Sequence, residues 1–174
     1  MSTAFRIKDV RVSVISAKAK GGDYFQQGGE THWLVDTLIS NPMSGYEKYR
    51  EKRNSWGIGV LGSLVVEIIT DDGTVGVATG TGGQPAAWLI KNHFTRFLIG
   101  EDARNTNRIW DEMFRASLPY GRKGLPVMAI SVVDLALWDL VGKVRSEPVY
   151  NLIGGLSRDE ITFYCTGPEP TAVK

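Results

Sequence analysis

The stretch Ala129-Ile-Ser-Val-Val-Asp134-Leu-Ala-Leu-Trp-Asp139-Leu-Val-Gly142-Lys143, followed by Pro148-Val-Tyr-Asn-Leu-Ile-Gly154-Gly155, decides how the chain is read. Between Val127 and Val144 apolar residues recur almost all the way round a 3.6-residue period. That pattern predicts a helix embedded in a core. The same helix carries Asp134, Asp139 and Lys143, and charge taken into a core needs partners. Asp139 and Lys143, four residues apart, are spaced to pair along one helix face, and Asp134 is expected to bond a neighbouring loop.

Working outward, residues 5–15 alternate through Val10, Val12 and Val14 and predict a half-buried strand. Residues 61–70 are apolar and β-branched, Asp71-Asp72-Gly73 is a tight-turn signal, and residues 74–79 read as the return strand, which together make a three-stranded antiparallel meander. Pro85 suits the first turn of a helix over 85–98, with Trp88, Leu89, Phe94, Phe97 and Leu98 as its apolar stripe. A second helix over 105–116 spaces Ile109, Trp110, Met113 and Phe114 in the same way. Three strands followed by three helices is the α+β order, with helices packed on one sheet face. After the Gly154-Gly155 tail, Glu160-Ile-Thr-Phe-Tyr-Cys165 alternates as a strand does. With no later strand to pair beside it, it is expected to be the start of a second, truncated domain.

Residues 17–57 behave differently. They hold Gly21-Gly22-Asp23, Gln26-Gln27-Gly28-Gly29 and Asn41-Pro42-Met43-Ser44, all loop chemistry, and a loop of that length in a compact domain tends to be a functional lid or a linker. Tyr24, Phe25, Trp33, Tyr46, Tyr49 and Trp56 favour the lid, since linkers are poor in aromatics. Within it stand His32 and Arg53. Arginine offers a planar bidentate partner to a carboxylate, and imidazole can both donate to and accept from a polyol.

Composition narrows the function classes. The chain has 174 residues, 43% hydrophobic and 22% charged, with a net charge of +1 and no basic run with interleaved aromatics, which argues against a nucleic-acid binder. A single cysteine, Cys165, cannot form an internal disulfide and reads as a core residue of a reducing compartment. The N-terminus has no apolar signal region, and no stretch is read as approaching the roughly 20 apolar residues of a membrane span, so a soluble cytoplasmic chain with no membrane partner is expected. Thr79-Gly-Thr-Gly-Gly83 reads as a turn, because the spacing of a dinucleotide fingerprint is missing. Residues 117–124 read as a solvated interhelix loop, and His93 as a structural histidine.

The core helix and its Gly-Gly tail resemble the helix that closes the N-terminal capping domain in the mandelate racemase and muconate lactonizing branch of the enolase superfamily. Four loop pieces are more specific: Gly21-Gly-Asp-Tyr24, Gln27-Gly-Gly-Glu-Thr-His32-Trp33, Pro42-Met-Ser-Gly-Tyr46 and Arg53-Asn-Ser-Trp-Gly-Ile-Gly-Val-Leu-Gly62. These look like the loops of the L-rhamnonate dehydratases, a family of acid-sugar dehydratases within that branch. The likeness continues through Ser63-Leu-Val-Val-Glu67 and Arg158-Asp-Glu-Ile-Thr-Phe-Tyr164. Residues 80–98 have no distinctive match, and position 132, here valine, is usually small in the family helix.

The resemblance implies an enolase-like capping domain over 1–155 with a substrate-specificity lid over 17–57, and the start of a TIM-type (β/α) barrel over 156–174. It places His32 and Arg53 on cap positions that contact an acid-sugar substrate. It further implies a hydro-lyase that uses Mg²⁺: a base removes the proton α to the carboxylate, and loss of the 3-hydroxyl leaves a 2-keto-3-deoxy acid sugar. The family's acidic metal ligands and its base lie on later barrel strands, so neither catalytic nor metal-binding residues are expected in this chain, which alone should be inactive. The full-length form is expected to be a homo-oligomer. Two other readings stand beside this one: a racemase or cycloisomerase with the same cap, or a non-catalytic binding or dimerisation module.

Overall fold

In the computed structural model, which describes residues 5–15, 45–47 and 61–163, three strands form an antiparallel meander: β1 (Ile7–Ile15), β2 (Ser63–Thr70) and β3 (Val75–Thr81), in the order β1-β2-β3. The hairpin between β2 and β3 is held by Asp72, whose carboxylate accepts from the Thr70 hydroxyl at 2.5 Å and from the Thr74 N–H at 3.1 Å. The Thr70 hydroxyl bond, with the Thr74 N–H behind it, holds the Asp72 carboxyl below its ordinary pKa. The register sets Val12 and Ala78 on either side of Val66, and Val14 and Gly80 on either side of Leu64. One face therefore carries Leu64, Val66 and Ile68, all fully buried, and the other carries exposed residues such as Val77, Thr79 and Thr81. A register shift between Ile7 and Asp9 in β1 brings Ile7, at 1% exposure, onto the buried face with Val12.

Helices then cover that face. The predicted 85–98 helix has three pitches: α1 (Gly83–Leu89), a π-helical turn (Ile90–Phe94) and a 3₁₀ turn (Thr95–Phe97). Side chains explain the change. The Thr95 hydroxyl donates to the Ile90 carbonyl at 2.8 Å, and Arg96 donates to the carbonyls of Asn92 and His93 at 2.9 and 3.0 Å, supplying partners for carbonyls at the end of the helical run. Ile90, Phe94 and Leu98 stay fully buried. Next, α2 (Thr106–Ser117) turns Ile109 and Met113 inward and carries the pairs Arg108–Glu112 and Arg115–Asp111 outside. The core helix is α3 (Leu125–Arg145), which starts with Pro126 in its first turn; one further turn, α4 (Val149–Leu152), follows Pro148.

α3 is long and apolar enough to cross a membrane by length and composition, which corrects the expectation that no stretch comes near that limit. Packing accounts for its apolarity: more than half of the apolar window is buried, with Ala129, Val133, Ala136, Leu137 and Leu140 at or near zero exposure. The helix lies unusually close to β3. A β-carbon added to Gly76 would fall 2.2 Å from the Ala136 carbonyl oxygen and 2.5 Å from the Leu140 β-carbon, and one added to Gly80 would fall 2.9 Å from the Val132 β-carbon. Glycine at 80 therefore makes room for the valine at 132.

Proximity also finds partners for the charges. The Asp139 carboxylate accepts from the Val77 backbone N–H and from Lys143 Nζ, both at 2.7 Å, while Lys143 Nζ donates to the Val75 carbonyl at 3.0 Å. The expected i,i+4 pair forms, and it also closes the first half of the free edge of β3. The opposite edge of the sheet is closed by backbone at the start of β1: Ile7 N–H bonds the Glu101 carbonyl at 2.9 Å, Gly100 N–H the Ile7 carbonyl at 2.8 Å, and Ala103 N–H the Phe5 carbonyl at 2.8 Å. Arg104, ion-paired with Asp102, lies over the Phe5 ring at 4.5 Å.

The chain divides into two compact units, residues 1–16 with 58–156, and residues 17–57 with 157–174. In the second, the described residues are 45–47, a short turn, and 157–163, which are irregular. The strand expected over 160–165 is not formed at 160–163, where Ile161 and Phe163 are 75% and 84% exposed; Tyr164 and Cys165 lie outside the described residues. Alternation alone does not make a strand, because each needs a neighbour's N–H and C=O groups, and residues 160–163 have no ladder among the described residues.

Gly76→Ala should destabilise the fold by about 1–3 kcal/mol through overpacking against backbone, read as a lowered urea midpoint; an unchanged midpoint would show that α3 can move away freely. Gly80→Ala should cost less and be partly rescued by Val132→Ala in a double-mutant cycle, whereas strict additivity would rule out the contact. Asp139→Ala removes the acceptor of the part-exposed Val77 N–H and should cost about 0.5–1.5 kcal/mol in the same measurement, with Asp139→Asn losing less because it keeps an acceptor.

Candidate functional site

Both residues singled out for substrate contact, His32 and Arg53, lie outside the described residues, as does the lid segment 17–57 apart from 45–47. The described part of the molecule can be searched for chemistry of its own. It contains no group of three or more His, Cys, Asp or Glu side chains placed to hold a metal ion.

Three local readings can be placed directly. Thr79-Gly-Thr-Gly-Gly83, expected as a turn, is instead the end of β3 through Thr81 and the start of α1 at Gly83, with only Gly82 between them: Gly82, at φ 109°, donates to the Gly62 carbonyl at 3.1 Å, and a β-carbon on Gly83 would sit 1.5 Å from the Leu61 carbonyl oxygen. These glycines allow backbone to pass backbone, which leaves no cradle for a phosphate. The interhelix loop keeps Arg122, Lys123 and Gly124 exposed. His93 is structural, and its partner is specific: Nδ1 lies 2.7 Å from the Tyr120 hydroxyl, and the ring packs edge-on to Phe97 at 5.7 Å between centroids. It thereby ties the π-turn to the loop after α2, while partial burial pushes the Tyr120 hydroxyl above its ordinary pKa.

Asp134 departs from expectation. No hydrogen bond joins it to a neighbouring loop among the described residues, and it is half-buried on α3. Desolvation raises its pKa above the ordinary 3.8. It sits apart from Asp139, which faces β3, so the two carboxylates of this helix form no common site.

A groove of about 350 Å³ runs between β3 and the first half of α3, lined by Thr79, Thr81, Val127, Met128, Ser131 and Leu135 among others. Leu135 is 56% exposed beside it. Its lining has no ionisable side chain, so it can receive an apolar group but supplies neither an acid nor a base. The sequence signal for it was the apolar wrap of α3, which is wider than one sheet can cover. Where Asp139 and Lys143 close the β3 edge at Val75 and Val77, the groove begins beyond them at Thr79.

Comparison with known proteins bears on the same residues. The family model for the N-terminal domain of mandelate racemase and muconate lactonizing enzymes matches residues 61–154, which hold β2, β3 and all the helices. A relative from Caldivirga maquilingensis, assigned by name as an L-rhamnonate dehydratase, is 53% identical over 169 residues, 97% of this chain and 42% of its own length. The crystal structure of a rhamnonate dehydratase from Gibberella zeae complexed with Mg superposes with a TM-score of 0.80 at 60% identity, covering 96% of this chain and 41% of that one. A 3,6-anhydro-D-galactonate cycloisomerase from Zobellia galactanivorans matches at a TM-score of 0.61 and 29% identity, over 87% of this chain and 32% of that one. The chain thus spans about two fifths of the length of the dehydratases it matches.

The raised pKa of Asp134 has a defined consequence for stability. The folded protein holds this proton to higher pH than the unfolded chain does. The group therefore costs nothing below its unfolded value, and its cost grows as pH rises through the folded value. Asp134→Asn should raise the urea midpoint at pH 7, with the gain shrinking as the pH is taken down to about 4. A gain that persists or grows in acid would contradict the desolvation account.

Proposed function

The chain belongs to the mandelate racemase and muconate lactonizing enzyme family, matching its N-terminal domain, and on that premise we propose that it is the substrate-capping part of an acid-sugar dehydratase acting on L-rhamnonate or a close relative. The observation that carries this reading is identity of 53–60% to the dehydratases over nearly the whole chain, including residues before 61 where the family model finds no match. Those earlier residues hold His32, Arg53 and the loop motifs.

In this reading the capping domain spans 1–155 with its lid over 17–57, and residues 156–174 open a barrel domain. The reaction is Mg²⁺-dependent loss of water from the sugar acid, giving a 2-keto-3-deoxy acid sugar, and the metal ligands and the base belong to sequence outside these residues. This chain contributes binding. Arg53 would pair with a charged or polar group at the far end of the substrate, through two parallel N–H donors. His32 would hydrogen-bond hydroxyls, and the loop aromatics would exclude water from the closed site. In this reading the enzyme would be a cytoplasmic homo-oligomer, and residues 1–174 alone would not turn over the substrate.

A racemase or cycloisomerase is the second reading, favoured by the cycloisomerase structure at 29% identity. The test is an assay of the protein purified from its native source, with Mg²⁺ and a panel of sugar acids, for 2-keto-3-deoxy acid formation. L-rhamnonate should be turned over, and Arg53→Ala should lower kcat/KM about 10- to 100-fold, the loss expected of a charged hydrogen-bond pair. Exchange of the α-proton with solvent deuterium and no keto acid would move the assignment to the racemase class. Binding of sugar acids with neither exchange nor keto acid would leave a binding module.

A further inference from the structure

We draw no further inference here: the strongest candidate, the apolar groove between the β3 edge at Thr79 and Thr81 and the Met128, Ser131 and Leu135 side chains of α3, carries nothing because nothing in the structure shows what covers it.

Discussion

The closeness of α3 to β3 is the constraint from which the rest of the domain follows. Missing β-carbons at Gly76 and Gly80 let the helix backbone settle against the strand, so that Ala136, Leu140 and Val132 fill the space where side chains would otherwise stand. An aspartate is a short side chain, and it reaches the Val77 N–H at 2.7 Å only because the helix is that near. The charged residues of an apolar helix thus become part of the sheet, completing hydrogen bonds that a fourth strand would otherwise supply. The apolar face of β2 is then sealed under the same helix, where burial of each large aliphatic side chain contributes about 1.5–3 kcal/mol.

Much of this was legible in the residues, for a physical reason. Hydrophobic period separates strand from helix, and the three strands of the meander and the helical segments expected over 85–98, 105–116 and 127–144 follow it to within a few residues, whereas the alternation at 160–163 forms no strand. The pairing of Asp139 with Lys143 was readable because it is local; its aim at β3 was not, since spacing along a helix says nothing about what lies across from it. Gly76, Ala78 and Gly80 alternate on one face of β3 but carry too little apolar surface to register as a packing stripe. The π-turn depends on where one threonine hydroxyl and one arginine find carbonyls, which periodicity does not encode. Asp134 was assigned a loop partner on the rule that buried charge is paired, yet it is only half-buried, and the cost of its desolvation shows as a raised pKa. His32 and Arg53 were singled out by residue type and motif alone, and they lie outside the described residues.

The described residues divide labour in a way that suits a cap. Their titratable groups serve edges, turns and helix faces, as with Asp72, Asp102 and Asp139, and no three metal-capable side chains converge among them. What they offer is a rigid frame. Its sheet connects β1 to β2 through the segment 16–62, so a long excursion between two adjacent strands can vary in length and sequence while its ends stay pinned by the β1–β2 ladder.

The order in which the parts appear along the chain has a consequence for its synthesis. Every strand among the described residues is complete by Thr81, but α3 begins only at Leu125. A growing chain emerges N-terminus first, and through that interval the face of Leu64, Val66 and Ile68 has only the helical segments that precede α3 to cover it, while β3 shows an uncapped edge. The nascent meander is thus at its most adhesive just before α3 leaves the ribosome. The glycines that admit α3 so closely also leave the strand least able to protect itself in the meantime.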